Sequence, residues 1–115
     1  METIDEFQKF RAEMNRQIEA SEHLGLKRFF ALDHQAYEPG ALGTKVKELL
    51  GLVASTVLRC DDCITYHLVR CAEEGWQRSE LIDALNVALV VGGSIAIPHV
   101  RRAFARMQEI DRLRE

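Results

Sequence analysis

Apolar residues recur every three or four positions along most of this chain, and Gly, Pro and short polar clusters separate the runs. Ile4, Phe7, Phe10 and Met14 keep helical spacing, and Thr3 with Glu6 three residues on forms a capping-box pattern ahead of them. A second helix is predicted from about Leu26 to Tyr37, carrying Phe29, Phe30 and Leu32, and Glu38-Pro39-Gly40 breaks it. Thr44 is the expected N-cap of a third helix that reaches about Leu58. Its apolar positions Val46, Leu49, Leu50, Val53, Ala54 and Val57 form one continuous stripe. The segment Cys60-x-x-Cys63 opens a fourth helix, which should end at Gly75 as a C′ glycine. Ser79 is the expected cap of a fifth, Glu80 to Val91. Gly92-Gly93 interrupts, and Pro98 suits the first turn of a last helix. The run Val87 to Val91 is strand-like in composition, but its flanks are helical and no partner strand is available. The pattern therefore predicts an all-α fold, a compact domain of about five to six helices spanning residues 1–115 as one unit.

The fifth helix is apolar nearly all round: Leu81, Ile82, Ala84, Leu85, Val87, Ala88, Leu89, Val90 and Val91. A helix without a polar face has to be covered on every side. A chain of 115 residues has little interior in which to surround one. The expectation is a central helix with one face against another subunit, hence a homo-oligomer.

Composition narrows the function. At 47% apolar the chain can pack a core, and its net charge of −3 leaves no electrostatic footprint for nucleic acid. The arginines of the last segment (Arg101, Arg102, Arg106, Arg112 and Arg114) alternate with Glu109, Asp111 and Glu115, which reads as an ion-paired helix surface. The acidic start, Met1 to Glu6, is not followed by an apolar stretch of signal-peptide type. No apolar run reaches the ~18 residues of a membrane span. A soluble, cytoplasmic protein without a membrane partner is expected. There, three cysteines do not make a structural disulfide framework, and a close pair points to catalysis or metal.

The chemistry concentrates in Arg59-Cys60-Asp61-Asp62-Cys63-Ile64-Thr65-Tyr66-His67. Cysteines three apart at a helix start lie within disulfide reach, and the unpaired N–H groups and dipole there favour a thiolate. His67 stands one turn beyond Cys63 and can move a proton near neutral pH. If the chain reverses near Val57 or Leu58, Glu48 reaches the same height on the preceding helix and can orient the imidazole. Zinc would take Cys60, Cys63 and His67 with Glu48 or another histidine. Structural zinc sites, however, usually draw a second ligand pair from a distant segment, and His23, His34 and His99 are isolated. We therefore assign no metal and no cofactor. Asp61 and Asp62 argue against a dry, merely packed cysteine pair. Cys71 reads as a small core residue, Tyr66 and Trp76 as packing residues, and His99, after Pro98, as either a residue lining a site or a polar group in the first turn of its helix. A thioredoxin fold needs strands that are not visible.

Lys47-Glu48-Leu49, Arg59-Cys60-x-x-Cys63-x-x-x-His67, Gly75 and Gly92-Gly93 together resemble the alkylhydroperoxidase D-like branch of the carboxymuconolactone decarboxylase family, over roughly Leu26 to Met107. The resemblance implies an all-helical domain that assembles as a homotrimer or homohexamer. It also implies a thiol-dependent peroxidase that reduces hydroperoxides and is itself reduced by a thiol or lipoyl-type donor. Carried onto this chain, Cys63 attacks the peroxide, Cys60 closes the disulfide, and Glu48 with His67 relays protons. The best-studied peroxidases of that branch have a histidine just before the second cysteine. Asp62 stands here, and an anion opposes thiolate formation at Cys63. Position at the helix start would instead favour Cys60 as the thiolate; the resemblance is followed. The family's other chemistry, cofactor-free lactone decarboxylation, does not need a CxxC. A non-catalytic redox sensor would share the first oxidation step.

Overall fold

The computed structural model describes all residues, 1–115, and every regular element is helical. There are six α-helices: α1 (Ile4–Ala20), α2 (Leu24–Ala36), α3 (Thr44–Val57), α4 (Asp61–Glu73), α5 (Arg78–Gly92) and α6 (Ile97–Leu113). A single 3₁₀ turn, Ser94–Ala96, joins α5 to α6. No helix is long and apolar enough to cross a membrane.

The backbone divides into two compact units, Met1–Glu38 and Pro39–Glu115. In the first, the Glu6 N–H donates to Thr3 Oγ1 at 3.1 Å, the cap that the sequence indicates for α1. Helix α2 starts two residues earlier than its apolar pattern suggests, because His23 caps it by accepting the Leu26 N–H at 3.3 Å. None of its residues is buried, and Phe29, Phe30 and Leu32 are exposed.

In the second unit α3 packs against both α4 and α5, and α6 packs against α4. Leu52, Ile64, Leu68, Leu85, Cys71, Ala88 and Met107 fill the space between them. Indole Nε1 of Trp76 donates to the Lys45 carbonyl at 2.7 Å, tying the α4–α5 link to the start of α3. Arg78 pairs with Asp111 between α5 and α6, and Arg114 Nη2 donates to the Ala72 carbonyl at 3.2 Å.

Several local expectations change. Gly43, not Thr44, is the N-cap of α3, and Gln77, not Ser79, caps α5, its N–H donating to Glu80 at 2.8 Å. The larger change concerns faces. The apolar stripe of α3 is not its packed face: Val46 and Leu50 are exposed, while Glu48, Leu52, Ser55 and Thr56 are buried. At 100° per residue these four lie on the other side of the helix from the stripe. Polar residues can take the inner face because they are bonded there: Thr56 Oγ1 donates to the Leu52 carbonyl at 2.8 Å, and Glu48 has the partners described below. α5 is not enclosed by its own chain. It buries Leu81, Ala84, Leu85 and Ala88, whereas Val87, Val90 and Val91 stand open, Val90 at 77%. Arg106 also departs from the expected ion-paired surface. It is buried, with Nε on Thr65 Oγ1 and Nη1 on Glu109, each at 3.2 Å.

Candidate active site

The turn between α3 and α4 is three residues long and sets the position of both cysteines. Arg59 takes a left-handed φ of 60°, although it is not glycine. That conformation lets the Arg59 N–H reach the Thr56 carbonyl at 3.1 Å and the Cys60 N–H reach Ser55 at 3.0 Å. This is a Schellman closure of α3. Cys60 then returns to extended geometry and serves as N-cap of α4, its sulfur accepting the Cys63 N–H at 3.3 Å. Cys60 and Cys63 are joined in a disulfide with Cα atoms 5.3 Å apart. Cys60 is half-buried and Cys63 exposed. Both sulfurs stand at the positive end of a helix, where a thiolate is favoured once the bond is reduced.

Two turns further in, α3 and α4 meet at a buried polar cluster. Glu48, 1% exposed, has Oε1 2.8 Å from His67 Nδ1 and accepts from Arg70 Nε at 3.3 Å through Oε2. Arg70 also reaches Glu73 at 3.2 Å and Glu74 at 3.4 Å. Partial burial works against the Arg70 charge, but the Glu48 and Glu73 carboxylates outweigh it, so its pKa lies above the ordinary value. The guanidinium of Arg70 donates to Oε2 and leaves Oε1 to accept a second bond. In that arrangement Oε1 accepts from His67 Nδ1–H. The imidazole lies against Gly51: a methyl group at that Cα would stand 2.6 Å from Cε1 and 2.7 Å from Nε2. Tyr66 meets the same ring edge-on at 5.1 Å between centroids.

The structure thus brings Glu48 to His67 and Cys60 to Cys63. It also recruits groups beyond those four. Arg70 is one, and it stands only three residues after His67. Gly51 is another, and its signal was an otherwise costly glycine in mid-helix. A third is His99, whose Nδ1 lies 2.8 Å from Oδ1 of Asp61, the residue next to Cys60. Cys71 is buried, and burial pushes its thiol up to about 12, so it is not a nucleophile at neutral pH. No three His, Cys, Asp or Glu side chains are grouped so as to hold a metal ion.

Comparison with known proteins decides the ancestry of this arrangement. The profile of the carboxymuconolactone decarboxylase family matches residues 24–106, a stretch that includes both cysteines, Glu48 and His67 and draws on both compact units. The chain belongs to the carboxymuconolactone decarboxylase family. A crystal structure of a family member from Thermotoga maritima, described with a suggested part in an antioxidative response, superposes with a TM-score of 0.91 at 54% identity, covering 95% of this chain and 92% of that one. A family protein from Legionella pneumophila shares the fold, with a TM-score of 0.82 at 23% identity over 92% and 95% of the two chains. Among relatives known by sequence, an uncharacterised cox-locus protein of Paracoccus denitrificans is 30% identical over 72% of this chain and 75% of its own length. The all-helical architecture expected from the sequence is the architecture of this family.

Proposed function

We propose that this family member is a thiol peroxidase that reduces hydroperoxides through Cys60 and Cys63, with His67 and Glu48 handling the protons. One observation carries the reading: a CxxC disulfide at a helix start is joined through a short turn to a buried carboxylate–imidazole pair. The reaction class also fits the antioxidative role suggested for the Thermotoga relative.

In the reduced protein the imidazole of His67 takes the thiol proton of Cys63. The Cys63 sulfur bonds the terminal peroxide oxygen, the O–O bond breaks, and the departing alkoxide receives that proton. The products are an alcohol and a Cys63 sulfenic acid. Exposure of Cys63 gives the peroxide access, and half-buried Cys60 lies at bonding distance behind it. The Cys60 thiol attacks the sulfenic sulfur, water leaves, and the disulfide forms. An external thiol or lipoyl-type dithiol then returns two electrons and two protons. Glu48, held by Arg70, keeps the ring in one tautomer and stabilises the imidazolium, the role of the third member of a triad.

The active form in this reading is a homo-oligomer, a trimer or hexamer. The open apolar faces of α3 (Val46 and Leu50) and α5 (Val87, Val90 and Val91) need cover that their own chain does not supply.

The test is steady-state consumption of cumene hydroperoxide with dithiothreitol or a dihydrolipoyl donor. Many turnovers per subunit, lost in Cys60→Ser and in Cys63→Ser, are expected. A single stoichiometric oxidation with no turnover would mean that the dithiol is a sensor.

A further inference from the structure

The start of α4 carries two carboxylates, Asp61 and Asp62, directly beside the dithiol. Negative charge there opposes a thiolate on either sulfur. Asp62 is exposed to solvent. Asp61 is not left to solvent alone. Its Oδ1 lies 2.8 Å from His99 Nδ1, and its Oδ2 accepts from Arg102 Nη1 at 3.2 Å. His99 and Arg102 are three residues apart on α6, so they project from one face of that helix onto one carboxylate. The buried charges of the packed helices are engaged elsewhere. Glu48 of α3 is on His67 and Arg70, and Arg106 of α6 is on Thr65 and Glu109. Arg59, on the other side of Cys60, is exposed. The pair from α6 is therefore what offsets Asp61.

We propose that His99 and Arg102 are positioning residues of the dithiol: by holding Asp61 they fix the helix start that carries Cys60 and Cys63 and screen the adjacent negative charge, so that the reduced, thiolate-bearing state is stabilised. The inference rests on reading Cys60 and Cys63 as a redox dithiol. Stabilising the thiolate makes the disulfide the better oxidant, because oxidation of the thiolate–thiol pair to the disulfide releases two electrons and one proton from a state that has become lower in energy. Redox tuning of the centre is thereby assigned to a helix that contributes none of the four residues named for the chemistry.

The test measures the dithiol directly and does not depend on peroxide turnover. The full-length protein is equilibrated in reduced and oxidised glutathione, which exchange electrons with the pair. The reduced form is alkylated with iodoacetamide at pH 7. His99→Phe and Arg102→Met should each slow alkylation on the order of threefold, the change that a rise of about 0.5 in thiol pKa produces. The same change corresponds to a midpoint about 15 mV more negative. Asp61→Asn should move both readouts the other way, and Arg102→Met should add nothing in that background. A merely structural clamp would lower thermal stability in all three variants without opposite signs in the potential. Unchanged alkylation and midpoint in Arg102→Met and Asp61→Asn, whose sites are partly exposed and tolerant of substitution, would overturn the proposal even if His99→Phe fails to fold. A wild-type pair that does not cycle in glutathione at all would overturn the peroxidase reading itself; normal cycling with no difference between variants would remove only this inference.

Discussion

The imidazole of His67 occupies the space that a side chain at Gly51 would need. A glycine in mid-helix normally costs about 1 kcal/mol relative to alanine. Here it admits the ring to the face of α3, where Glu48 can reach it. Gly51→Ala should therefore lose stability rather than gain it, because the ring must move and the Glu48–His67 bond must open. Peroxide turnover should fall by roughly 10²-fold, the lower end of what a displaced acid–base group costs. Thermal melting and steady-state turnover check this together; a raised melting temperature with wild-type turnover would show that the ring has another resting place.

Glu48→Gln keeps the shape and removes the charge. Its amide can still accept from Nδ1–H but no longer stabilises the imidazolium, and it leaves Arg70 with Glu73 and Glu74 alone. Turnover should drop roughly 10²–10⁴-fold while the helical circular-dichroism signal stays unchanged. Wild-type rates between pH 6 and 8 would reduce Glu48 to a structural anchor.

Cys71 gives an alkaline signature. Burial first, and the nearby Glu48 carboxylate second, raise its thiol from 9.0 to about 12 in the folded chain. The neutral form is the one that folding favours. Its contribution is complete below about pH 9 and is lost as pH rises from there toward 12, where the unfolded thiol ionises and the folded one does not. With Cys60 and Cys63 kept oxidised, the denaturation midpoint of wild type should fall more steeply over that window than that of Cys71→Ala. Parallel curves would show that Cys71 is solvated. Iodoacetamide at pH 8 should leave Cys71 unmodified until the protein is unfolded.

The open face of α5 supplies a prediction about assembly. Val87→Glu adds a charge to the patch formed with Val90 and Val91. Sedimentation at micromolar concentration should show the wild-type chain as a trimer or hexamer and the variant shifted toward smaller species. A 13.1 kDa wild-type species would mean that this face is stable in water.

The helices were legible because their signals are local. Periodic apolar residues, the Pro39-Gly40 break, Gly75 with its φ of 94° and Pro98 near the start of α6 each act within one turn of chain. The CxxC pair, His67 and Glu48 were legible because they are reactive types at regular spacing. What escaped was decided by neighbours. The stripe on α3 is the regular pattern of a packed face, yet Glu48 took the inner side, where His67 and Arg70 of α4 meet it. His99 and Asp61 are 38 residues apart and meet only once α6 has docked on α4. Arg59 carries no turn signal, since its left-handed backbone is the conformation for which a sequence would be expected to show glycine.

Cys60 ends one helix with its N–H and begins the next with its sulfur. No slack separates the two, so the turn acts as a length gauge between α3 and α4. One residue added to it, or taken away, would break either the closure of α3 by the Cys60 N–H or the capping of α4 by its sulfur. The register that puts His67 against Glu48 depends on that junction. Sequences that keep every one of the four reactive residues but differ here by a single position would retain the ingredients of the site without its alignment.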